Sequence, residues 1–416
     1  MIASVRSGRM ITDYTPKMKL VVTIYEPTME KAIHAIHALR ADHDMIEVRL
    51  DAFGGRDVDP FLGLTSRPII FTNRGGEPVE SDFGLIDVEY GRKVKHPERT
   101  VLSFHDFEGM PDLEPLVAAM TALGCAHTKI AVSPRTLAEN ESLLAAIKPG
   151  LTIFGMGERG LYSRILAPFF GSEFFFAGSV APAQLSLERA LPIYGDRKLP
   201  RPDKIFAIAG NPAGQSLSPS IHNPLFRKHG VPGAYTIASF ETFDEIATAF
   251  EAARIAGLSV TAPFKDQALA FAKRIGADVR RNASDANAVN TLVRTKKGVI
   301  ADNTDVDGFE ILLKKVHCRR AAVVGAGGTA RAAALALRRA GKEVRIYNRS
   351  PKLGAEPLEA LPAFNGDLII DTLPSGVRLS LPAGVTTIAA AYDRGGLELL
   401  EAQAIRQNEL FLEAFR

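Results

Sequence analysis

The 416-residue sequence has little cysteine, no long apolar run and almost no net charge. Its two cysteines, Cys125 and Cys318, lie far apart, so they exclude a disulfide framework and favour a reducing compartment such as the cytoplasm. No run of about 18 apolar residues is found, so we expect no membrane span. Fifty basic and 47 acidic residues leave a net charge of +3, too balanced for a dedicated nucleic-acid binder.

The remaining composition is that of a folded protein with more than one domain. Hydrophobic residues make up 46% and charged residues 23%, which is ordinary for globular proteins. The length predicts two or three domains. Residues 1–17 carry Arg6 and Arg9 but no apolar core, so we expect no secretory signal there. A short organellar leader, or an untidy start with Met18 as an alternative first residue, remains open.

Short apolar runs alternate with helix-like segments such as 28–41, 113–123 and 134–147 through the first half. Strands that alternate with helices predict a parallel sheet, and eight such units predict a closed β/α barrel. The gaps between the third, fourth and fifth runs are too short for full helices, so we expect some outer helices to be stunted or absent. The eight predicted strands are 20–24, 45–50, 68–72, 85–89, 100–104, 128–132, 151–155 and 174–177.

Several of these strands carry polar residues at alternate positions. In a parallel barrel the outer face is covered by helices and is apolar, so the polar face points inward. Charges buried there must pair or bind a polar ligand. A solvated face of an antiparallel sheet is the alternative, and the intervening helices argue against it. The alternating polar residues are Glu47, Arg49 and Asp51, Asp87 and Glu89, Ser103 and His105, and His127 and Lys129.

These residues occur within short motifs that resemble the type I 3-dehydroquinate dehydratases over about residues 18–195. The motifs stand in the family's order along the chain, which makes a chance match improbable. The fold that the resemblance implies is a (β/α)8 barrel. The motifs are Glu47-Val-Arg-Leu-Asp51, Ser103-Phe-His-Asp106, Lys129-Ile-Ala-Val132, Gly155-Met-Gly157 through Ser163-Arg164, and Ala181-Pro-Ala-Gln184.

The resemblance implies that Lys129 forms a Schiff base with a substrate ketone. An amine nucleophile must be neutral, so burial or neighbouring cations such as Arg49 and Arg164 should lower the pKa of Lys129. His105 would act as general base and then general acid, a role that suits imidazole near neutral pH. Arg164 would hold the substrate carboxylate, and Glu47 and Arg49 its hydroxyls. The implied substrate-binding residues are Glu47, Arg49, Arg74, Arg164 and Gln184.

The first half departs from the family pattern at two loops. Arg74 runs directly into Gly75-Gly76, so the glutamate that usually follows the third strand and orients the histidine is missing. Glu77 or Glu80 would be its substitute. The last loop reads Ala181-Pro-Ala-Gln184 where the family has Ala-Pro-Gly-Gln, and Val180 stands where a serine is common.

Residues 195–204 have no apolar period and carry two prolines, one glycine and six charges. This composition predicts a linker at 196–204 that divides two independent cores. A new series of strands and helices begins at 205–209. We therefore expect a barrel at 18–195, a substrate-binding lobe at 205–305 that is completed by a C-terminal helix at 396–416, and a nucleotide-binding lobe at 306–395.

A strand at 321–324, a glycine turn, an alanine-rich helix at 331–340 and a strand at 344–347 form the context of a dinucleotide-binding fingerprint. Glycines let the backbone approach a pyrophosphate, and the helix N-terminus offers free N–H groups. The second strand ends in Asn348-Arg349 without a carboxylate, and arginine matches a 2′-phosphate, so NADP(H) is the expected cofactor. A solvated arginine is the alternative. The predicted cofactor-binding residues are Gly325, Ala326, Gly327, Gly328, Thr329, Ala330, Asn348 and Arg349.

Polar motifs on both sides of the fingerprint resemble the shikimate dehydrogenases from about residue 205 to 416. They are Gln215-Ser-Leu-Ser-Pro219, Ser259-Val-Thr-Ala-Pro-Phe-Lys265, Asn287-Ala-Val-Asn-Thr-Leu292 and Asp302-Asn-Thr-Asp305. The resemblance implies that Lys265 and Asp305 form the catalytic pair. Reduction of a ketone leaves charge on its oxygen, which a lysine ammonium can stabilise and protonate, while the carboxylate orients the lysine. The implied substrate-binding residues are Ser216, Ser218, Thr261, Asn290 and Gln403.

The second half is also trimmed relative to this family. Tyr392-Asp-Arg-Gly leads almost directly to the segment that ends at Gln403, so about a dozen family residues are absent. Asp371-Thr372 stands where an asparagine is usual.

The two resemblances imply consecutive reactions on one chain. Dehydration of 3-dehydroquinate gives 3-dehydroshikimate, and its NADPH-dependent reduction gives shikimate, so the expected partners are these small molecules and no metal is implied. Three alternatives remain: one inactive half, a preference for quinate, and a metabolite-sensing regulator built on the same folds. The retained Lys129, His105, Lys265 and Asp305 argue against the regulator.

Overall fold

The first half of the chain forms a nearly closed barrel of eight parallel strands. The computed structural model describes residues 17–40, 42–350, 354–377 and 379–416. Residues 1–16, where the sequence leaves open an organellar leader or a later first residue at Met18, lie outside the described residues. From β1 to β7 each strand pairs with the next strand along the chain, and β1 also pairs with β8. The strands are β1 Lys19–Ile24, β2 Met45–Arg49, β3 Ile69–Thr72, β4 Leu85–Glu89, β5 Thr100–Asp106, β6 His127–Val132, β7 Leu151–Gly155 and β8 Phe174–Ala177.

The remaining seam of the barrel lies between β7 and β8. Among the described residues no backbone ladder joins these two strands. The Thr152 hydroxyl instead accepts a hydrogen bond from the Phe174 N–H at 2.9 Å, and the His127 ring stacks on Phe174 with centroids 3.8 Å apart. A side-chain contact therefore replaces the last ladder.

In the described part of the chain five α-helices flank the barrel, and a side chain caps the start of four of them. Thr28 accepts from the Lys31 N–H before α1, and Thr136 forms a capping box with Glu139 before α3. Residues 73–99 contain no α-helix, which confirms the expected absence of outer helices between the third, fourth and fifth strands. The segment at 50–68, between β2 and β3, also has 3₁₀ turns in place of an α-helix, and this was not predicted. The helices are α1 Met29–Ala38, α2 Leu113–Thr121, α3 Leu137–Ala145, α4 Gly157–Leu166 and α5 Leu187–Tyr194.

The second half consists of two α/β lobes, as expected from a shikimate dehydrogenase unit. A six-stranded mixed sheet has the order β10-β9-β11-β13-β14-β12, and a five-stranded parallel sheet has the order β17-β16-β15-β18-β19. The strands of the first sheet are β9 Lys204–Gly210, β10 Gly233–Ser239, β11 Gly257–Val260, β12 Asp278–Val279, β13 Thr291–Thr295 and β14 Gly298–Asp302. Those of the second are β15 Arg320–Val324, β16 Glu343–Asn348, β17 Glu356–Pro357, β18 Leu368–Asp371 and β19 Thr386–Ala389.

The last helix of the chain returns to the first lobe, where it packs against α10 and α6. Within the described ranges, no helix combines the length and apolarity that crossing a membrane requires. The helices of this half are α6 Ser218–Lys228, α7 Phe243–Glu251, α8 Lys265–Arg274, α9 Arg281–Asp285, α10 Thr304–Leu313, α11 Gly328–Arg339 and α12 Leu397–Leu412.

The expectation of two independent cores on either side of the linker is wrong. One hydrophobic cluster runs from the barrel, through Phe175 and Tyr194, into the first lobe at Phe206 and Tyr235. Helix α4 lies along β10, and the Thr236 hydroxyl donates to the Tyr162 carbonyl at 3.0 Å. The backbone is irregular at 195–203, and Lys204 already belongs to β9. The composition of a linker carries no information on whether the flanking units bury apolar surface against each other.

Two candidate active sites

The barrel mouth encloses a cavity of about 310 Å³, here called the barrel site. Lys129 reaches its floor from β6 and is buried, with 5% of its surface exposed. Its Nζ lies 3.8 Å from Glu47 Oε1, 3.8 Å from Asp87 Oδ2 and 4.1 Å from the centroid of the Phe176 ring. The alternation of the strands therefore does point these charges inward.

Burial lowers the pKa of Lys129, because removal from water disfavours the ammonium. Arg74 and Arg49 act in the same direction, while Glu47 and Asp87 oppose them. We expected Arg49 and Arg164 to lower this pKa. Arg49 does so, but the second contributing cation is Arg74, not Arg164. Because its pKa is lowered, Lys129 is neutral more often than an exposed lysine would be.

His105 stands above Lys129 at the end of β5, and Glu89 at the end of β4 orients it. Glu89 Oε2 lies 3.0 Å from His105 Nδ1, and Glu89 Oε1 accepts from the His105 backbone N–H at 2.9 Å. Donation from Nδ1–H to Glu89 leaves Nε2 as the basic nitrogen. Burial lowers the pKa of His105, and the hydrogen bond to Glu89 opposes that shift.

The expected substitutes for the missing glutamate, Glu77 and Glu80, do not reach the histidine. Glu80 pairs with Lys95, and Glu77 lies 3.8 Å from Arg92. The sequence did place Glu89 on the inward face of its strand, but only the register between β4 and β5 shows that it contacts His105.

Arg74 and Arg49 are both held by carboxylates. Arg74 donates to Asp87 Oδ2 at 3.0 Å and to Glu89 Oε2 at 2.5 Å. Arg49 forms a two-point contact with Asp51 at 2.9 and 2.7 Å. Both line the cavity, but their charge is already compensated by protein groups.

Arg164, on α4, is the cation of the barrel site without a carboxylate partner among the described residues. It is 4% exposed, its guanidinium lies over the Phe154 ring at 4.6 Å, and its Nη1 makes no hydrogen bond. Burial lowers the pKa of Arg164 to about 10. A buried arginine in this condition is suited to receive an anionic group of a ligand.

Gln184 holds the loop over the cavity. Its Oε1 accepts from the Val180 and Ala181 N–H groups at 3.0 and 3.1 Å, and its Nε2 donates to the Thr23 hydroxyl at 3.3 Å. Ala183 has a φ of 58°, the left-handed region that glycine adopts easily. The loop thus forms with alanine where the resembling family has glycine.

A second polar cavity, here called the cleft site, lies in the second half. The Lys265 ammonium contacts the Asp305 carboxylate and donates to the Thr329 hydroxyl at 2.7 Å. Asn290 Nδ2 donates to Asp305 Oδ1 at 2.8 Å, which fixes the carboxylate from the other side. Lys265 is the first residue of α8 and Asp305 the second residue of α10, so the starts of these two helices bring the pair together.

The expected substrate-binding residues converge on this cleft. Ser218, Thr261, Asn290 and Gln403 line it, and Ser216 lies behind Ser218, to whose Oγ it donates at 3.1 Å. Gln403 Oε1 accepts from the Thr304 hydroxyl at 2.9 Å.

One polar lining residue, Gln407, was not predicted from the sequence. Gln407 accepts from the Ser259 hydroxyl at 2.6 Å and donates to the Thr291 hydroxyl at 2.7 Å. It follows Gln403 by one helical turn, so the i, i+4 spacing on a buried helix was the available signal.

The glycine turn between β15 and α11 can accommodate a dinucleotide phosphate. Gly325 has a φ of 113°, and a Cβ there would lie 2.5 Å from the Thr372 hydroxyl. Gly327 faces open space, and no side chain caps α11, so its first N–H groups are free of side-chain partners. Ala326, Gly328 and Ala330 complete the turn, and exposed Arg349 follows Asn348 at the end of β16.

An ion pair and backbone hydrogen bonds of Arg394 hold the shortened segment that follows β19. Arg394 Nε lies 2.9 Å from the buried Asp371 carboxylate, and its other nitrogens donate to the carbonyls of Leu373, Pro374 and Val377. The aspartate that replaces the usual asparagine is thus one half of an ion pair. β19 ends at Ala389, three residues short of the predicted strand end at Tyr392.

Two family models match the chain. Type I 3-dehydroquinase matches residues 79–199, and the shikimate dehydrogenase substrate binding domain matches residues 208–292. The two matches fall on the barrel and on the lobe that follows it.

Three relatives illustrate the similarity. The shikimate biosynthesis protein AroDE of Chlamydia pneumoniae is 32% identical over 68% of this chain and 64% of its own length. A chloroplastic bifunctional 3-dehydroquinate dehydratase/shikimate dehydrogenase of Arabidopsis thaliana is 29% identical over 78% of this chain and 63% of its own. The shikimate dehydrogenase (NADP(+)) of Helicobacter pylori strain P12 is 32% identical over 47% of this chain and 76% of its own.

The chain spans slightly less than two thirds of the length of the first two of these relatives. The third is covered over more than three quarters of its length, at 32% identity. Together with the two domain matches, this similarity shows that the chain belongs to the shikimate dehydrogenase family and carries a type I 3-dehydroquinase domain before that part.

Proposed function

We propose that the chain is a bifunctional enzyme that dehydrates 3-dehydroquinate in the barrel site and reduces the resulting 3-dehydroshikimate to shikimate in the cleft site. One observation carries the proposal: two buried lysines face two polar cavities in opposite electrostatic settings. The barrel unit is assigned to residues 18–195, and the lobes to 205–305 with 396–416 and to 306–395. Two free cysteines support a reducing, cytoplasmic location.

In the barrel site, the neutral Lys129 amine attacks the substrate ketone, and loss of water gives an imine. His105 Nε2 removes a proton from the carbon next to the imine and then returns it to the departing hydroxyl, which leaves as water. Glu89 stabilises the imidazolium between these steps. Hydrolysis of the imine releases the enone and restores Lys129.

Recognition in the barrel site follows from the charges that are left uncompensated. Arg164 is the buried cation available to the substrate carboxylate. Glu47 accepts from the Thr23 and Thr72 hydroxyls at 2.8 and 2.9 Å, so its position is fixed on the cavity wall, where it can accept from a substrate hydroxyl. Gln184 contributes by holding the loop that covers the cavity.

In the cleft site, NADPH supplies the reducing equivalent when it is bound. Ser216 and Ser218 bind the substrate carboxylate, and Thr261, Asn290 and Gln403 hold the ring hydroxyls. Lys265 stabilises the charge that grows on the substrate oxygen and donates the proton to it. Asp305 and Asn290 keep the ammonium in place.

The residues of the second lobe fit NADP(H). Gly327 and the start of α11 leave a cradle in which the pyrophosphate can approach the backbone. Arg349 is exposed at the strand end where the 2′-phosphate lies in dinucleotide-binding folds, and Asn348 is held by Ser350 at 3.1 Å.

The test is a two-signal assay on the purified full chain. With 3-dehydroquinate alone, absorbance of the conjugated enone should rise; added NADPH should then be consumed as the enone disappears. Quinate with NADP⁺ serves as the comparison substrate and should react more slowly than shikimate. Enone formation without NADPH consumption would show an inactive second half, and no reaction of either kind would overturn the proposal.

A further inference from the structure

The loop at 211–217, here called the serine loop, connects β9 to α6 and carries Ser216 of the cleft site. It is fastened by two helices of the barrel as well as by its own lobe. Ser216 and Ser218 are 7% and 1% exposed, and the Ser218 N–H donates to Ser216 Oγ at 3.2 Å. Side-chain positions in this loop therefore depend directly on where its backbone lies.

Arg189, on the last barrel helix α5, makes the main contact. Its Nη2 donates to the Gly214 carbonyl at 3.0 Å and to the Ser216 carbonyl at 2.8 Å. The Ser220 hydroxyl, on the first turn of α6, donates back to the Arg189 carbonyl at 3.0 Å. One guanidinium thus spans both sides of Gln215 and holds the residue that carries the Ser216 hydroxyl.

Helix α4 supports the other end of the loop. Glu158 accepts from the Ser239 hydroxyl at 3.0 Å, and Ser239 Oγ accepts in turn from the Ala213 N–H at 3.4 Å. A Cβ on Gly214 would lie 2.8 Å from Glu158 Oε1, so the loop backbone approaches the barrel closely. Because α4 also carries Arg164, one helix of the barrel serves both sites.

We propose that Arg189 is a positioning residue for substrate binding in the cleft site: the barrel completes the carboxylate pocket of the reductase by fixing the serine loop. The proposal rests on the proposed reductase function of the cleft. The same contacts imply that the cleft lobe has its full affinity for substrate only when the barrel packs against it.

The physical consequence is selective. A guanidinium that donates to two carbonyls reduces the motion of the serine loop, so its loss costs ordering entropy when a carboxylate binds. The Arg189 side chain does not contact Lys265 or Asp305, so we expect the chemical step to stay intact once substrate is bound. The expected signature is a higher KM for 3-dehydroshikimate at an unchanged kcat.

The experiment compares Arg189→Ala with Arg159→Ala in the full chain. Arg159, on α4, also crosses to the cleft lobe, where it pairs with Glu241, but it does not touch the serine loop. For Arg189→Ala we expect KM for 3-dehydroshikimate and Kd for shikimate to rise about tenfold, the scale of one charge-assisted hydrogen bond. KM for NADPH, kcat and dehydratase activity should stay unchanged, and Arg189→Lys should recover part of the loss.

The outcomes separate the two proposals. Equal effects of Arg189→Ala and Arg159→Ala on shikimate binding, or a loss in kcat alone, would overturn the positioning role. If the native chain does not reduce 3-dehydroshikimate, the proposed function fails, and calorimetric binding of shikimate to native and variant chains still decides on Arg189. Should Arg189→Ala lower dehydratase activity through misfolding, Arg189→Gln, which keeps the stem and an amide donor, replaces it.

Discussion

Lys129 and Lys265 are both buried lysines that face polar cavities, yet their surroundings differ in the distance of the nearest carboxylate. Lys129 Nζ has carboxylate oxygens no closer than 3.8 Å and two arginines nearby. Lys265 is in direct contact with Asp305 and also donates to Thr329. The first setting favours the neutral amine that the proposed Schiff-base role requires, and the second holds the Lys265 side chain in the position that the proposed reductase role requires.

Burial alone does not decide the role of a lysine. Asp87 and Glu47 lie near Lys129, but other groups already donate to them. Thr23 and Thr72 donate to the two oxygens of Glu47, and Arg74 and Ser103 both donate to Asp87 Oδ2. In the cleft, one Asp305 oxygen is given to Lys265 and the other to Asn290. Competition for carboxylate oxygens therefore distinguishes the surroundings of the two lysines, and substitutions at these lysines and at the groups around them test what that difference does.

Removing the nucleophile should have the largest effect. Lys129→Ala should reduce enone formation by about 10⁴-fold or more, the scale seen when a covalent nucleophile is removed. Borohydride with 3-dehydroquinate should add the mass of the reduced ligand to Lys129 in the native chain and to no other residue. Reduction of 3-dehydroshikimate should persist as the internal control. Labelling of another lysine, or turnover without any label, would refute the Schiff-base mechanism.

Removing the proton donor should be less severe. Lys265→Ala should lower kcat of the reductase by roughly 10²–10³, the cost of losing one donor to a developing oxyanion. KM should change little, because that charge exists only in the transition state. Dehydratase activity serves as the folding control. A change confined to KM would mean that Lys265 only binds substrate, and a loss of both activities in folded protein would contradict two separate sites.

The carboxylate beside His105 gives a pH-dependent prediction. Glu89→Gln should lower dehydratase kcat by about 10–100-fold, below the full contribution of a general base. Because Glu89 opposes the burial that lowers the pKa of His105, its loss should lower that pKa further. The acid limb of kcat/KM should then move to lower pH. Glu80→Gln, at one of the two residues first expected to orient the histidine, is the matched control and should leave the profile unchanged.

A substitution in the cofactor pocket should change the KM for NADPH and leave dehydratase activity unchanged. Arg349→Ala should raise KM for NADPH by about thirtyfold, which corresponds to about 2 kcal/mol for a hydrogen bond to a charged group. KM for NADH should change little because NADH has no 2′-phosphate. Initial rates with both cofactors measure this directly. Equal changes for the two cofactors would contradict the assignment of Arg349.

The sequence was sufficient for the fold classes and for the residues on the strands, because strand periodicity determines which side chains point inward, but it did not show the core that the barrel and the first lobe share. It placed Lys129 and Glu89 on inward faces but could not show that β4 and β5 pair Glu89 Oε1 with the His105 N–H. It also gave no sign that Arg189 crosses to the serine loop. Such contacts depend on register and on the packing of distant helices, which local patterns do not encode.

The smallest expected effect concerns the loop over the barrel site, where Ala183 has a φ of 58°. Left-handed backbone costs a non-glycine residue about 1–2 kcal/mol, whereas glycine adds about 0.4–1 kcal/mol of unfolded-state entropy to be lost on folding. Ala183→Gly should therefore stabilise the chain by about 0.5 kcal/mol, the difference between these opposing terms. Ala181→Gly, at a neighbouring position of the same loop without a positive φ, is the matched control and should destabilise it. Denaturant midpoints followed through dehydratase activity measure both, and equal losses in the two variants would show that Ala183 stores no strain.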